Sequence, residues 1–399
     1  MKLHRIIILS ITCLISVNIE GQLFRSLGLG TNLGTRKGNY SQPRMHIEGN
    51  SLYVCTNQGL YSKNLAEDSS EWQCTGFNGI PLQDYVRLGN DILALQYNEG
   101  GGFLLLSHDG GQTYEDVTPE IFLKEKYDIL PSIAQAPKDS ATLLVSSIYW
   151  GIFRSIDFGR TWECLTEYLY GNGIVSFIGF HPMQPNVIFN SGEGDSLEGH
   201  INISYDGGHT WNDHDESLGF PGENCVHRPS FNPHNPHHWI AGGEGCIFIS
   251  TDNGQTWNHQ NYGTDEGRNA YWYYSAFDEI NPETIYVAGN TKGNMAAVKV
   301  MCSTDGGKTW SIPQTIQNDN PSIGIVNDLQ QYGGNLLIYT EQDIFIVSKT
   351  DLLKQSFASV HVITTIEDDS NDIYDMQGRR LSAEPERGLY IKNGKKIAR

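Results

Sequence analysis

The chain has 399 residues, 39% hydrophobic and 18% charged, enough for a large core but poorer in charge than the roughly 25% usual in soluble proteins. Its net charge of −19 argues against nucleic acid or an anionic membrane as the main partner, because neither phosphate nor acidic lipid is drawn to such a surface. Forty-three glycines, 20 tyrosines and 8 tryptophans point to many short strands and tight turns. Glycine shows no three-residue period, and no interior stretch approaches the roughly 18–20 apolar residues of a membrane helix.

The chain opens with Lys2 and Arg5, followed by an apolar run from Ile6 to Val17. Residues 1–21 therefore read as a secretory signal peptide with cleavage near Gly21. Export permits disulfides, and six cysteines follow: Cys55, Cys74, Cys164, Cys225, Cys246 and Cys302. Their spacing fits no zinc pattern. Buried thiols are expected, with Cys225–Cys246 the first candidate if any pair is bridged.

One octapeptide pattern, S-x-D-x-G-x-T-[WY], recurs at Ser107–Tyr114, Ser155–Trp162, Ser204–Trp211, Ser250–Trp257 and Ser303–Trp310. Worn copies lie around Gly59–Ser62 with Trp72, and at Ile344–Ser348. Seven units thus span residues 40–366. A period in the forties with several short strands per unit predicts an all-β, seven-bladed β-propeller of four-stranded blades. Residues 22–39 form an N-terminal segment able to add a strand that closes the ring.

Each motif suits a hairpin turn. Its glycines allow positive φ, its aspartate accepts main-chain N–H groups, and its aromatic packs between sheets. Asp109, Asp157, Asp206, Asp252 and Asp305 are accordingly structural.

The motif resembles the Asp-box, or bacterial neuraminidase repeat. That resemblance implies kinship with sialidases, xyloglucan hydrolases, sortilin-type receptors and assembly factors of photosystem II. It specifies the fold far better than the function, since both catalysts and non-catalytic binders carry it. Sialidases combine three arginines with a Tyr–Glu pair and an Arg-Ile-Pro sequence. Here Arg44 is followed by Met45-His46, and six blades would be expected. Xyloglucan hydrolases use a cleft between two propellers.

Ligands of propellers usually sit over the channel on the rim opposite the motif turns. The starts of the inner strands place Arg44, Asp84, Asp128, His227, Tyr273 and Asp328 around that mouth. Nearby loops add Glu193, Asp195, Glu198, His200, Glu223, Arg228, Glu244 and Arg268, with the aromatic run Tyr271, Trp272, Tyr273 and Tyr274. Rings beside carboxylates suit a sugar or protein ligand, which makes Arg44, His227, Arg228, Arg268, Tyr271, Trp272 and Tyr273 the candidate binding residues. A catalytic pair would come from Asp84, Asp128, Glu193, Glu244 and Asp328. His234, His237 and His238 share a proline-rich turn that is repeated in other units, so neither a metal nor another cofactor is expected.

Residues 371–399 carry a local charge of +3, against −23 for residues 22–370. The tail, 367–399, resembles the end of the sorting domain that Bacteroidota append to type IX secretion cargo, with two short strands expected. That resemblance implies the export machinery as a partner. The sequence therefore predicts a secreted, cell-surface or periplasmic protein that binds a glycan or protein. The alternatives are a glycoside hydrolase and an envelope scaffold.

Overall fold

Five hairpins share one hydrogen-bond set. In blade four, Ser204 Oγ donates to Asp206 Oδ1 (2.8 Å) and accepts from Gly208 N (2.8 Å). Asp206 then accepts Thr210 N (2.8 Å) and Thr210 Oγ1 (2.6 Å). The same bonds recur around Asp109, Asp157, Asp252 and Asp305. Four of the terminal tryptophans also donate their indole N–H to the motif glycine. Glycine is required there: at Gly254, φ is +80° and an added Cβ would lie 2.5 Å from Ile203 Cδ1. Each turn thus packs against the preceding blade.

The computed structural model describes residues 23–30, 43–98, 101–123, 130–147, 151–166, 174–193, 199–214, 218, 225–262, 268–291, 294–316 and 324–358, with five short stretches between 373 and 398. These form a seven-bladed β-propeller with four antiparallel strands per blade. The inner strands, in blade order, are Met45–Glu48, Leu82–Leu88, Ser132–Gln135, Ile174–Phe180, Ser230–Asn232, Ala270–Phe277 and Val326–Tyr332. Blades one to six run through the sheet in sequence order. In blade seven the outermost strand is Arg25–Ser26, paired with Ile344–Ser348. Asp343 fastens this strand by accepting Leu29 N at 2.9 Å and the Ser26 hydroxyl.

The apolar core lies between blades. Phe189, Ile201 and Ile203 of blade four pack against Val226, Trp239 and Phe248 beside and within blade five. Second strands such as Leu143–Val145 and Leu336–Tyr339 are fully buried, as expected for strands covered on both faces. Polar side chains can therefore gather on the axis without weakening the core.

A helix, Lys349–Ala358, follows blade seven, and Lys349 Nζ meets Asp278 Oδ2 at 3.0 Å. Among the described residues, no helix is long and apolar enough to cross a membrane. The tail contains four short strands in a sheet of their own, where the sequence predicted two. The second pair comes from Arg380–Leu381 and Lys395–Ala398, whose basic residues hide the strand pattern.

All six propeller cysteines are thiols, with no disulfide between Cys225 and Cys246. Cys55, Cys246 and Cys302 are buried, but Cys74 is exposed and Cys164 and Cys225 are half-buried.

The motif aspartates set the acid limit of the fold. Thr113 N–H and its hydroxyl lower the Asp109 carboxyl to about 2, and the Thr210 hydroxyl and N–H do the same at Asp206. Asp157, Asp252 and Asp305 also lie below their ordinary 3.8, because these hydrogen bonds outweigh burial. A depressed folded value means stability that is present above the unfolded value and lost as pH falls through the folded one. Calorimetry should therefore show Tm falling steeply between about pH 4 and pH 2. Asp109→Asn should lower Tm at pH 7 and flatten that slope.

Candidate functional site

The inner strands of four blades are bulged near their starts. Register slips by one residue at Gln83, Ser176, Tyr273 and Asn327. A bulge re-aims the side chain that follows it, and the residues that follow are Asp84, Phe177, Tyr274 and Asp328. Phe177, Tyr274 and Asp328 all surround Arg44 of blade one.

Arg44, only 5% exposed, reaches Asp328 across the start of blade seven (Nη1–Oδ1 3.4 Å). Its guanidinium carbon lies 5.1 Å from the Tyr274 ring centroid and 6.0 Å from that of Phe177. Burial works against its charge, but Asp328, Tyr274 and Asp84 outweigh that and hold the guanidinium above its ordinary value. Asp328 also accepts Met45 N (3.1 Å), Leu329 N (2.9 Å) and Gln330 Nε2 (3.4 Å). Asp84 accepts Tyr85 N (2.8 Å) and faces His46 Nε2 at 2.7 Å.

His227 lies 5% exposed at the same level. Its ring stands edge-on to Tyr273 (4.7 Å) and Phe177 (6.0 Å), and neither ring nitrogen has a hydrogen-bond partner among the described residues. Burial pushes the imidazole down to about 3. Arg228 is exposed inside the channel, where it lines a cavity. Desolvation and the nearby Arg44 charge lower it to about 10. Among the described residues it makes no hydrogen bond or ion pair.

Below this layer lies a cavity of about 390 Å³ along the inner strands of blades four to seven. It extends from Arg228, Tyr274 and Asp328 to Pro182, Pro233 and Glu279, which lie in turns on the Asp-box rim.

The fold unites Arg44, Asp84 and Asp328, with His227 and Arg228 nearby. Glu193 and Glu244 lie just above this layer, on the rim opposite the Asp-box turns, where Glu193 pairs with Ile174 and Glu244 with Tyr271. Both bear on Cys225, whose thiol is raised first by burial and then by Glu244 and Glu193. Tyr271 bridges Glu244 through the main chain and stacks on Tyr273 (centroids 6.2 Å apart).

Two candidates are corrected. Trp272 is fully buried and donates its indole N–H to Arg268 O (3.2 Å), so it offers no stacking face. Arg268 donates to the carbonyls of Trp310 and Ser311, both at 3.0 Å, and braces blade six. Tyr273, at the bulge, keeps its edge-on contact with His227 (4.7 Å), and Tyr274 stands beside the Arg44 guanidinium.

His200 is buried beside Asn202 (2.6 Å). Asp128, Asp195, Glu198 and Glu223 lie outside the described residues. His238 is buried against Phe277, whereas His234 approaches Glu279 O at 3.4 Å. No three His, Cys, Asp or Glu side chains among the described residues converge as metal ligands.

The BNR/Asp-box repeat family matches residues 248–259 and 301–311. The chain carries Asp-box repeats. Its propeller is similar to the GH74 xyloglucanase from Xanthomonas campestris, at 18% identity and TM-score 0.59, covering 81% of this chain and 53% of that one. A GH74 enzyme from Niastella koreensis is similar at 18% identity and TM-score 0.58, covering 82% of this chain and 53% of that one. YCF48 bound to D1 peptide is similar at 15% identity and TM-score 0.54, covering 79% of this chain and 99% of that one. The chain thus spans about half the length of these GH74 enzymes, and at such identities the likeness shows the fold alone. No curated protein matches the sequence.

His227 gives a separate pH signature. Because burial disfavours its protonated form, the unfolded chain takes up a proton first, and stability falls as pH drops below about 6.5 toward 3. His181 and His238 are lowered in the same direction by burial. In His227→Phe the fall should be shallower by one proton, read from denaturant midpoints at pH 7, 6, 5 and 4.

Proposed function

We propose that this propeller binds a glycan or protein ligand on the rim opposite the Asp-box turns. The carrying observation is the engagement of Asp84 and Asp328. Asp328 accepts two main-chain N–H groups and faces Arg44, and Asp84 Oδ1 accepts Tyr85 N and faces His46, as structural charges do. General acid–base work needs one carboxyl exposed to a substrate proton. The half-buried Glu193, Glu244 and Tyr271 are left as contact groups on the rim.

A second reading rests on Glu193 and Glu244, both close enough to Cys225 to raise its thiol. It is a glycoside hydrolase that uses this pair. The GH74 likeness supports it, while the likeness to YCF48 with a bound peptide supports binding.

The purified protein should release no product from plant polysaccharides, host glycans or sialosides followed by chromatography, and should be retained on a glycan or peptide array. New oligosaccharides that vanish in Glu193→Gln or Glu244→Gln would establish the hydrolase instead.

The same reading puts the protein outside the cytoplasm. It is supported by the basic-apolar start of the chain and the separate sheet within residues 373–398. Removing residues 367–399 should leave the protein in the periplasm of a host with type IX secretion, as fractionation and immunoblotting would show. Unchanged appearance outside the cell would refute a sorting role for the tail.

A further inference from the structure

The cavity below the Arg44 layer is amphipathic. Phe180, Phe231, Phe277 and Leu329 supply apolar wall, and Ser275 and Gln330 supply polar points. At its inner end stands Arg228. The nearest carboxylates are already engaged, Asp328 by Arg44 and three N–H donors, Asp84 by His46 and Tyr85 N. Arg228 thus holds a guanidinium fork with five N–H donors and no protein acceptor among the described residues.

We propose that this cavity is a binding site for a carboxylate joined to an apolar body. The carboxylate would take both arms of Arg228, and the apolar body would lie along the phenylalanines toward Pro182 and Pro233. The size suits a small organic acid, since such sites usually occupy roughly 300–1,000 Å³. A bidentate Arg–carboxylate pair away from bulk water is among the stronger polar contacts available. The chemistry is shared by a free organic acid and by a peptide C-terminus ending in an apolar residue. The site lies deeper in the channel than the rim groups Glu193, Glu244 and Tyr271 and is lined by none of them, so either can fail without the other.

The test is calorimetric titration of the full chain with 3-phenylpropionate and with its amide. The acid should bind one to one, and the amide about tenfold more weakly or not at all. Arg228→Gln should keep the wild-type Tm and lose that discrimination. If Arg228→Gln does not fold, Arg228→Lys decides, because it keeps the charge but not the planar fork. Weaker acid binding in that variant supports the site, and unchanged binding overturns it. Equal affinity for acid and amide overturns the proposal, as does no acid binding up to about 1 mM. N-acetylated dipeptides ending in Phe, with free or amidated C-termini, separate the two sources. Binding by the free terminus shows that the pocket admits a chain end, and its failure beside 3-phenylpropionate confines the site to small acids.

Discussion

The contact between Arg44 and Asp328 fixes the centre of this ring. Arg44 comes from the first blade and Asp328 from the last, and Met45 N adds a second bond to the same carboxylate. The outer edge is joined separately, where Arg25–Ser26 completes the sheet of blade seven. The ring is therefore closed twice, by a main-chain ladder outside and by a buried charge pair inside. Buried pairs add little net stability against a hydrophobic replacement, but losing one partner is costly because the other stays buried. Such a pair is better suited to fixing register than to adding stability. Here it sets which blade meets which, and so where each inner strand begins.

Other features of the channel follow from that placement. With Asp328 committed to Arg44, it is a poor proton donor or acceptor for a substrate. Arg44 in turn lies over the rings of Tyr274 and Phe177. Arg228 receives no carboxylate of its own and faces the remaining space. The Asp-boxes play no part in this chemistry. They hold each hairpin against the blade before it, and their hydrogen bonds are satisfied within the turn.

The architecture was legible because it repeats. Seven copies of one unit, five with an intact motif, gave blade number, strand order and the structural role of Asp109, Asp157, Asp206, Asp252 and Asp305. The site was legible only in part. Arg44, Asp84, His227 and Asp328 were readable as strand-start residues near the axis. Tyr274 is legible only as part of an aromatic run and not as the partner of Arg44, because a one-residue bulge at Tyr273 re-aims it, and no residue type marks that bulge. Phe177 was missed because an apolar residue in a strand reads as core. Trp272 and Arg268 looked like ligand groups by type. Burial and main-chain partners, which depend on the neighbouring blade, gave them structural roles.

A double-mutant cycle on Arg44 and Asp328 tests most directly whether this pair organises the channel. Stability of Arg44→Met, Asp328→Asn and the double variant would be measured by denaturant unfolding. Each single change should cost about 3–5 kcal/mol, and the double should fall short of their sum by about 1–3 kcal/mol. Additivity within about 0.5 kcal/mol would mean that the two residues act independently, and would contradict the central role given to their pairing.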